Sequence, residues 1–158
     1  MKPDIRIGYG WDSHEFKPGI PLKIGGVNLE HTHGLGGHSD GDVLLHALTD
    51  ALLGAVAAPD IGALFPPSDP KWKGADSAVF LHEALERVSD AGYEVINVDS
   101  TLILASPKIG PHAAALREHV ATLLGVAPDC VGIKAKTPEG MGTDHAAIAH
   151  AVVLIAKS

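Results

Sequence analysis

Between Asp42 and Ala57 the chain reads DVLLHALTDALLGAVA, almost wholly Leu, Ala, Val and Gly. A helix that is apolar on nearly every side has to be buried on nearly every side. This one therefore needs a sheet to lie on. Its polar residues are the exception: Asp42, His46 and Asp50 recur at i, i+4 and i+8 and share one face. Ser39 reads as the N-cap with Asp42 at N3, an acidic variant of the capping box, and the helix runs to about Ala57.

The elements around it follow from period and punctuation. Ile5–Tyr9 is an apolar strand, and Leu22–Leu29, broken at Gly25-Gly26, is a bent strand or hairpin. Residues 30–37 form a Gly/His-rich loop. A proline-broken loop, Phe65-Pro66-Pro67-Ser68-Asp69-Pro70, follows Asp60-Ile61-Gly62, and a loop this long in a compact unit is more often functional than idle. Asp76 or Ser77 caps a second helix that ends near Ala91-Gly92, with Gly92 just past its end; Val95–Leu104 is a strand. Pro111 opens a third helix ending near Gly125, with strands at Val131–Lys136 and Ala147–Ile155. Strands separated by helices in this order predict an α/β or α+β sandwich in one domain, 1–158.

Composition narrows the class of function. Nineteen acidic against twelve basic residues give a net charge of −7, and aromatics make up 4%. That balance, without a Lys/Arg run, argues against a nucleic-acid partner. Phosphates remain possible ligands where a metal or backbone amides supply the positive field. A single cysteine, Cys130, fits a reducing compartment, and no apolar run approaches the ~20 residues of a membrane span. Met1-Lys2-Pro3-Asp4 leads straight into the first strand and leaves no room for a signal or transit peptide, so the expected location is cytoplasmic.

Asp12 and His14 stand two apart directly after the first strand's apolar run, and strand residues i and i+2 point to one face. A carboxylate and an imidazole so placed are two thirds of a catalytic zinc site, and the helix carrying His46 is the best donor of the third ligand. Taken singly, His46 reads rather as a hydrogen-bonded core histidine and Asp12 as a turn or cap residue. Three protein ligands would leave the fourth position open for chemistry. Asp42 or Asp50 could accept a hydrogen bond from a ligand imidazole. The other histidines, including His31, His33, His145 and His150, are scattered and read as surface or core filler. Two more segments look like ligand loops: Ala105 to Pro111, joining a strand end to a helix start, and Lys134 to Gly140, which brings Thr, Lys and Glu together.

Arg6-Ile7-Gly8-Tyr9-Gly10-Trp11-Asp12-Ser13-His14, Gly25-Gly26-Val27, and the run from His38-Ser39-Asp40-Gly41-Asp42 to Gly54 carry a resemblance. Asp60-Ile61-Gly62, Leu64-Phe65-Pro66, Gly74-Ala75-Asp76-Ser77 and Pro107-Lys108 extend it. Nearly end to end, the chain resembles the 2-C-methyl-D-erythritol 2,4-cyclodiphosphate synthases.

That resemblance implies an α+β fold, a ferredoxin-like β-α sandwich with one mixed sheet covered by helices on one face, assembled as a homotrimer with active sites between subunits. It implies zinc held by Asp12, His14 and His46, and Mg²⁺ (or Mn²⁺) held by Glu139 with the substrate diphosphate. His38 and Thr137 match residues that stabilise the transition state. The methylerythritol phosphate side matches Asp12, Ser13, His14, His38, Ser39, Asp60, Ile61, Gly62, Phe65, Pro66, Pro67, Ser68 and Asp69. The cytidine segment matches Leu104, Ala105, Ser106, Pro107, Lys108, Ile109 and Gly110, and the diphosphate segment Lys136, Thr137, Pro138 and Glu139. The implied substrate is a cytidine diphosphate derivative, cyclised with release of CMP. One stretch departs from the pattern: Thr143 stands where an aromatic is common and Ala146 where an arginine is common. The isoprenoid diphosphate bound in the trimer cavity of some members is therefore not carried over.

Overall fold

The computed structural model describes residues 4–158. The lead-in over residues 1–3 lies outside the described residues. The first strand, β1 (Ile5–Pro18), is far longer than its apolar run. Two short strands, β2 (Leu22–Ile24) and β3 (Val27–Leu29), form a hairpin, and β4 (His33–Leu35) follows. Helix α1 spans Val43–Ala55, the single turn α2 Ile61–Leu64, and α3 Ser77–Asp90. After β5 (Tyr93–Ile103) come α4 (Ala113–Leu124), β6 (Val131–Lys136) and β7 (Ala146–Lys157).

One mixed sheet has the order β4-β1-β7-β5-β6, antiparallel except for the β5–β6 pair, beside the separate β2–β3 hairpin. The α+β architecture with a mixed sheet is as expected. Among the described residues no helix is long and apolar enough to cross a membrane.

Strand β1 shows why α1 lies where it does. From Gly8 onward its even-numbered residues face the helix, and the first two of these are glycines. A Cβ on Gly8 would come within 1.8 Å of Ala51 O, and one on Gly10 within 1.8 Å of Ala47 O. Glycine there marks a close backbone approach. Ala147, Ala149 and Ala151 of β7 continue this small-residue floor. Four helical residues advance about 6 Å and two strand residues about 6.7 Å, so the two elements stay in step along their contact. Further along the same face come Asp12 and His14.

The start of α1 differs from the expected capping box. Asp42, not Ser39, is the N-cap, accepting from Leu45 N at 3.0 Å. Gly41 sits at φ +73°, in the left-handed region, so the helix cannot begin earlier. Asp42 also accepts from Gly25 N at 2.9 Å and Gly26 N at 2.7 Å, tying the hairpin turn to the helix. Both glycines have positive φ, as a two-residue hairpin turn of this hand requires. Full burial pushes the Asp42 carboxyl up to about 6, the three amides only partly offsetting it. The expected loop over 30–37 contains β4, which pairs with the far end of β1.

Candidate metal centre and neighbouring clefts

Three donors from two elements converge. His14 Nε2 lies 2.8 Å from Asp12 Oδ2; His46 Nδ1 lies 3.1 Å from Asp12 Oδ2 and 3.1 Å from His14 Nε2. Donors around a tetrahedral zinc at 2.0–2.1 Å sit about 3.3 Å apart. The three atoms therefore already occupy nearly one face of such a tetrahedron. Two imidazole nitrogens aimed at one point with a carboxylate are a donor set that suits zinc. Among the described residues no other group of three His, Cys, Asp or Glu converges in this way.

Burial opposes the charge on Asp12, but the two imidazoles outweigh it and hold the carboxyl below the usual range. Burial likewise works against a proton on His14, and Asp12 overcomes it, raising that imidazole above its ordinary value.

The groups behind the rings are not those expected. His14 Nδ1 donates to Gly36 O at 2.8 Å, and His46 Nε2 meets Ser77 Oγ at 2.7 Å and Ser39 Oγ at 3.1 Å. Asp42 is committed to capping, and Asp50 accepts from Ile61 N at 2.8 Å, pinning α2 to α1. Burial raises the Asp50 carboxyl as well.

The donors open on a cleft of about 530 Å³ lined by His14, His38, Ser39, His46, Ile61, Gly62, Phe65, Pro67, Trp72 and Phe80. His38 Nε2 donates to Asp69 O at 3.1 Å, and Asp60 caps α2 through Ala63 N at 2.8 Å. The loop read as functional thus folds over the three converging donors. Two of its aromatic partners escaped the sequence reading. Phe80 stacks 4.5 Å from Phe65, and Trp72 lies 5.0 Å from Phe65, forming one wall of the cleft. The α-helical spacing of Phe80 marks only a core face, and Trp72 sits among polar loop residues.

A second cleft of about 570 Å³ joins the other two segments: Leu104, Ala105, Pro107, Lys108, Ile109, Gly110 and Pro111 with Ala135, Lys136 and Thr137. Thr137 Oγ1 donates to Glu139 Oε1 at 2.7 Å. Ser106 turns away, lining a third cleft with Phe16, His31, His33, Asp144 and His145, so three of the scattered histidines do come together. The first two clefts share no lining residue.

Residues 5–156 match the sequence model of the YgbB family. The chain belongs to the YgbB family. It is 67% identical over 153 residues to the 2-C-methyl-D-erythritol 2,4-cyclodiphosphate synthase of Koribacter versatilis (strain Ellin345), covering 97% of this chain and 99% of that protein. To the chloroplastic synthase of Arabidopsis thaliana it is 52% identical, covering 97% of this chain and 68% of that protein. A solved 2C-methyl-D-erythritol-2,4-cyclodiphosphate synthase superposes with a TM-score of 0.90 at 46% identity, covering 95% of this chain and 99% of that one. A CDP-bound form gives 0.90 at 44% identity, covering the same shares.

Proposed function

We propose that this YgbB-family chain is a cyclising phosphorus–oxygen lyase, acting on 4-diphosphocytidyl-2-C-methyl-D-erythritol 2-phosphate. The products are 2-C-methyl-D-erythritol 2,4-cyclodiphosphate and CMP, a step of the non-mevalonate route to isoprenoid precursors. The observation that carries this reading is the convergence of Asp12, His14 and His46 at the mouth of a cleft walled by the 60–72 loop. Relatives at 67% and 52% identity bear the name of this activity.

In the reaction the 2-phosphate oxygen forms a bond to the β-phosphorus, the β-phosphorus–oxygen bond to the α-phosphate breaks, and its electron pair leaves on CMP. Asp12, His14 and His46 would hold zinc, and Glu139 would hold Mg²⁺ (or Mn²⁺) with the diphosphate. When bound, these cations offset the repulsion between the two phosphate groups and polarise the phosphoryl centre. His38 and Ser39 offer polar hydrogens to the methylerythritol phosphate, while Asp60 to Gly62 and Phe65 to Asp69 close over its carbon skeleton. Leu104, Ala105 and Pro107 to Gly110 receive the cytidine. Lys136 and Thr137 face the diphosphate, with Thr137 and His38 donating to oxygens that gain charge. Holding nucleophile and electrophile of one molecule together lowers the barrier by several kcal/mol, so no covalent enzyme intermediate is required.

The active unit of this proposal is a homotrimer, with the metal cleft of one subunit facing the cytidine cleft of its neighbour. Two features support it. The clefts share no residue within one chain, and Ile5, Ile7, Tyr9, Trp11 and Val152 leave the sheet face opposite α1 apolar and exposed.

Phosphorus NMR of the purified protein with substrate, zinc and Mg²⁺ tests the reading. Cyclic diphosphate and CMP should grow together. Free inorganic phosphate would instead mean a metal-dependent phosphohydrolase, and no turnover would mean a binding module.

A further inference from the structure

The two ring nitrogens of His46 have different surroundings. Nδ1 faces Asp12 Oδ2 and His14 Nε2, each at 3.1 Å. As a metal donor it needs a free lone pair, so the proton of the neutral ring belongs on Nε2. Nε2 meets Ser77 Oγ at 2.7 Å, with Ser39 Oγ farther off at 3.1 Å. A hydroxyl either donates or accepts, so Ser77 alone would not choose between the ring's tautomers.

The choice is made one group further back. Ser77 Oγ also hydrogen-bonds Asp40 Oδ1, and a carboxylate only accepts. Asp40 is itself immobilised: Oδ2 accepts from Ser77 N at 3.0 Å, Oδ1 accepts from Asp42 N at 3.1 Å, and Lys23 Nζ lies 3.6 Å from Oδ2. Ser77 therefore spends its proton on Asp40 and turns a lone pair to His46 Nε2–H. His14 is held the other way round and more directly: its Nδ1–H donates to Gly36 O, which has no proton to give, and Nε2 faces the site.

We propose that Asp40 and Ser77 are positioning residues whose relay accepts the Nε2–H of His46 and so holds its Nδ1 toward zinc. The proposal rests on the zinc reading of the site. It gives the Asp40 and Ser77 side chains, which line neither the cleft at the three donors nor that of Leu104 to Thr137, a task in metal affinity. A histidine ligand's outer hydrogen-bond partner sets ring orientation and basicity, and losing one weakens metal binding about 10–100-fold.

The test uses the full chain and zinc alone. Zinc affinity is measured by chelator competition. Ser77→Ala should bind zinc about 10–100-fold more weakly. Ser77→Thr, which keeps the oxygen, should recover most of the affinity. Asp40→Asn, which puts an N–H where an acceptor is needed, should repeat the Ala result, and it carries the test should Ser77→Ala not fold. An Ala variant with unmutated affinity, or a Thr variant that recovers none of the loss, overturns the relay. If zinc uptake is lost in His46→Ala but unchanged in Ser77→Ala, the relay fails and the zinc reading stands. An unmutated protein that takes up no zinc overturns both.

Discussion

At the scale of the residue, Asp12 and His14 form a pair whose charges depend on each other in the metal-free protein. Asp12 is held below its ordinary value of 3.8, so its contribution to stability is complete above that value and is lost as pH falls through the lowered one. His14 is raised above 6.5, so its contribution is complete below 6.5 and is lost as pH rises through the raised value. The pair stabilises most between those two limits. His14→Gln should therefore cost the metal-free protein about 1–3 kcal/mol near pH 5, by the size of a charge-assisted hydrogen bond, and progressively less toward pH 8. Urea unfolding at both pH values checks this; a gap that widens with pH would refute it. His46→Ala is a different kind of change. It removes one of three donors, so bound zinc counted by mass spectrometry should fall to near zero and cyclisation should cease, while circular dichroism stays that of a folded protein.

At the scale of the element, β1 and α1 together place all three donors, and their glycines carry opposite predictions. At Gly10 a methyl group would strike the backbone of α1, 1.8 Å from Ala47 O. Gly10→Ala should destabilise by about 3 kcal/mol and push Asp12, two residues on, away from His46. Gly54 also lies on α1, but a Cβ there meets nothing nearer than Tyr9 O at 3.8 Å. Gly54→Ala should stabilise by about 0.5–1 kcal/mol, since it removes only helical glycine's entropy penalty. Denaturant melts that move both variants the same way would show that the strand–helix contact is misread. These elements also mark what is legible in the sequence. Asp12 and His14 are legible through the two-residue period of a strand, and His46 through the helix face it shares with Asp50. The true length of β1 is not, because Asp12 to Lys17 interrupt the apolar pattern at the place where the strand leaves the core for the three-donor site. Nor is Ser77, which reads as a routine helix start. Only the packing of α3 over α1 brings it against a ring 31 residues earlier.

At the scale of the whole molecule, the sheet has one face committed and one free. The small residues of β1 and β7 take α1, and the intervening side chains turn outward: Ile7 is 72% exposed and Tyr9 58%. Exposed apolar clusters of this kind, rimmed by polar groups such as His150 against Tyr9, mark surfaces that meet another chain, a membrane or a ligand. In the proposed trimer this face meets its own copies, and joining the subunits brings the cytidine cleft of one beside the metal cleft of the next. Ile7→Lys tests that arrangement without touching either cleft. A lysine on the outward face of β1 meets only solvent in a lone chain, so the variant should fold with a melting temperature within a few degrees of a folded subunit's own. Buried against two copies, three lysines would repel one another and lie unpaired, a loss of several kcal/mol. Analytical ultracentrifugation should then show monomer where the unmutated protein should sediment as trimer, and cyclisation should fall at least about a hundredfold while zinc still binds, because each chain keeps its own Asp12, His14 and His46. A monomeric variant with full turnover would mean that one chain builds the complete active site, and the subunit-sharing part of the proposal would have to be given up.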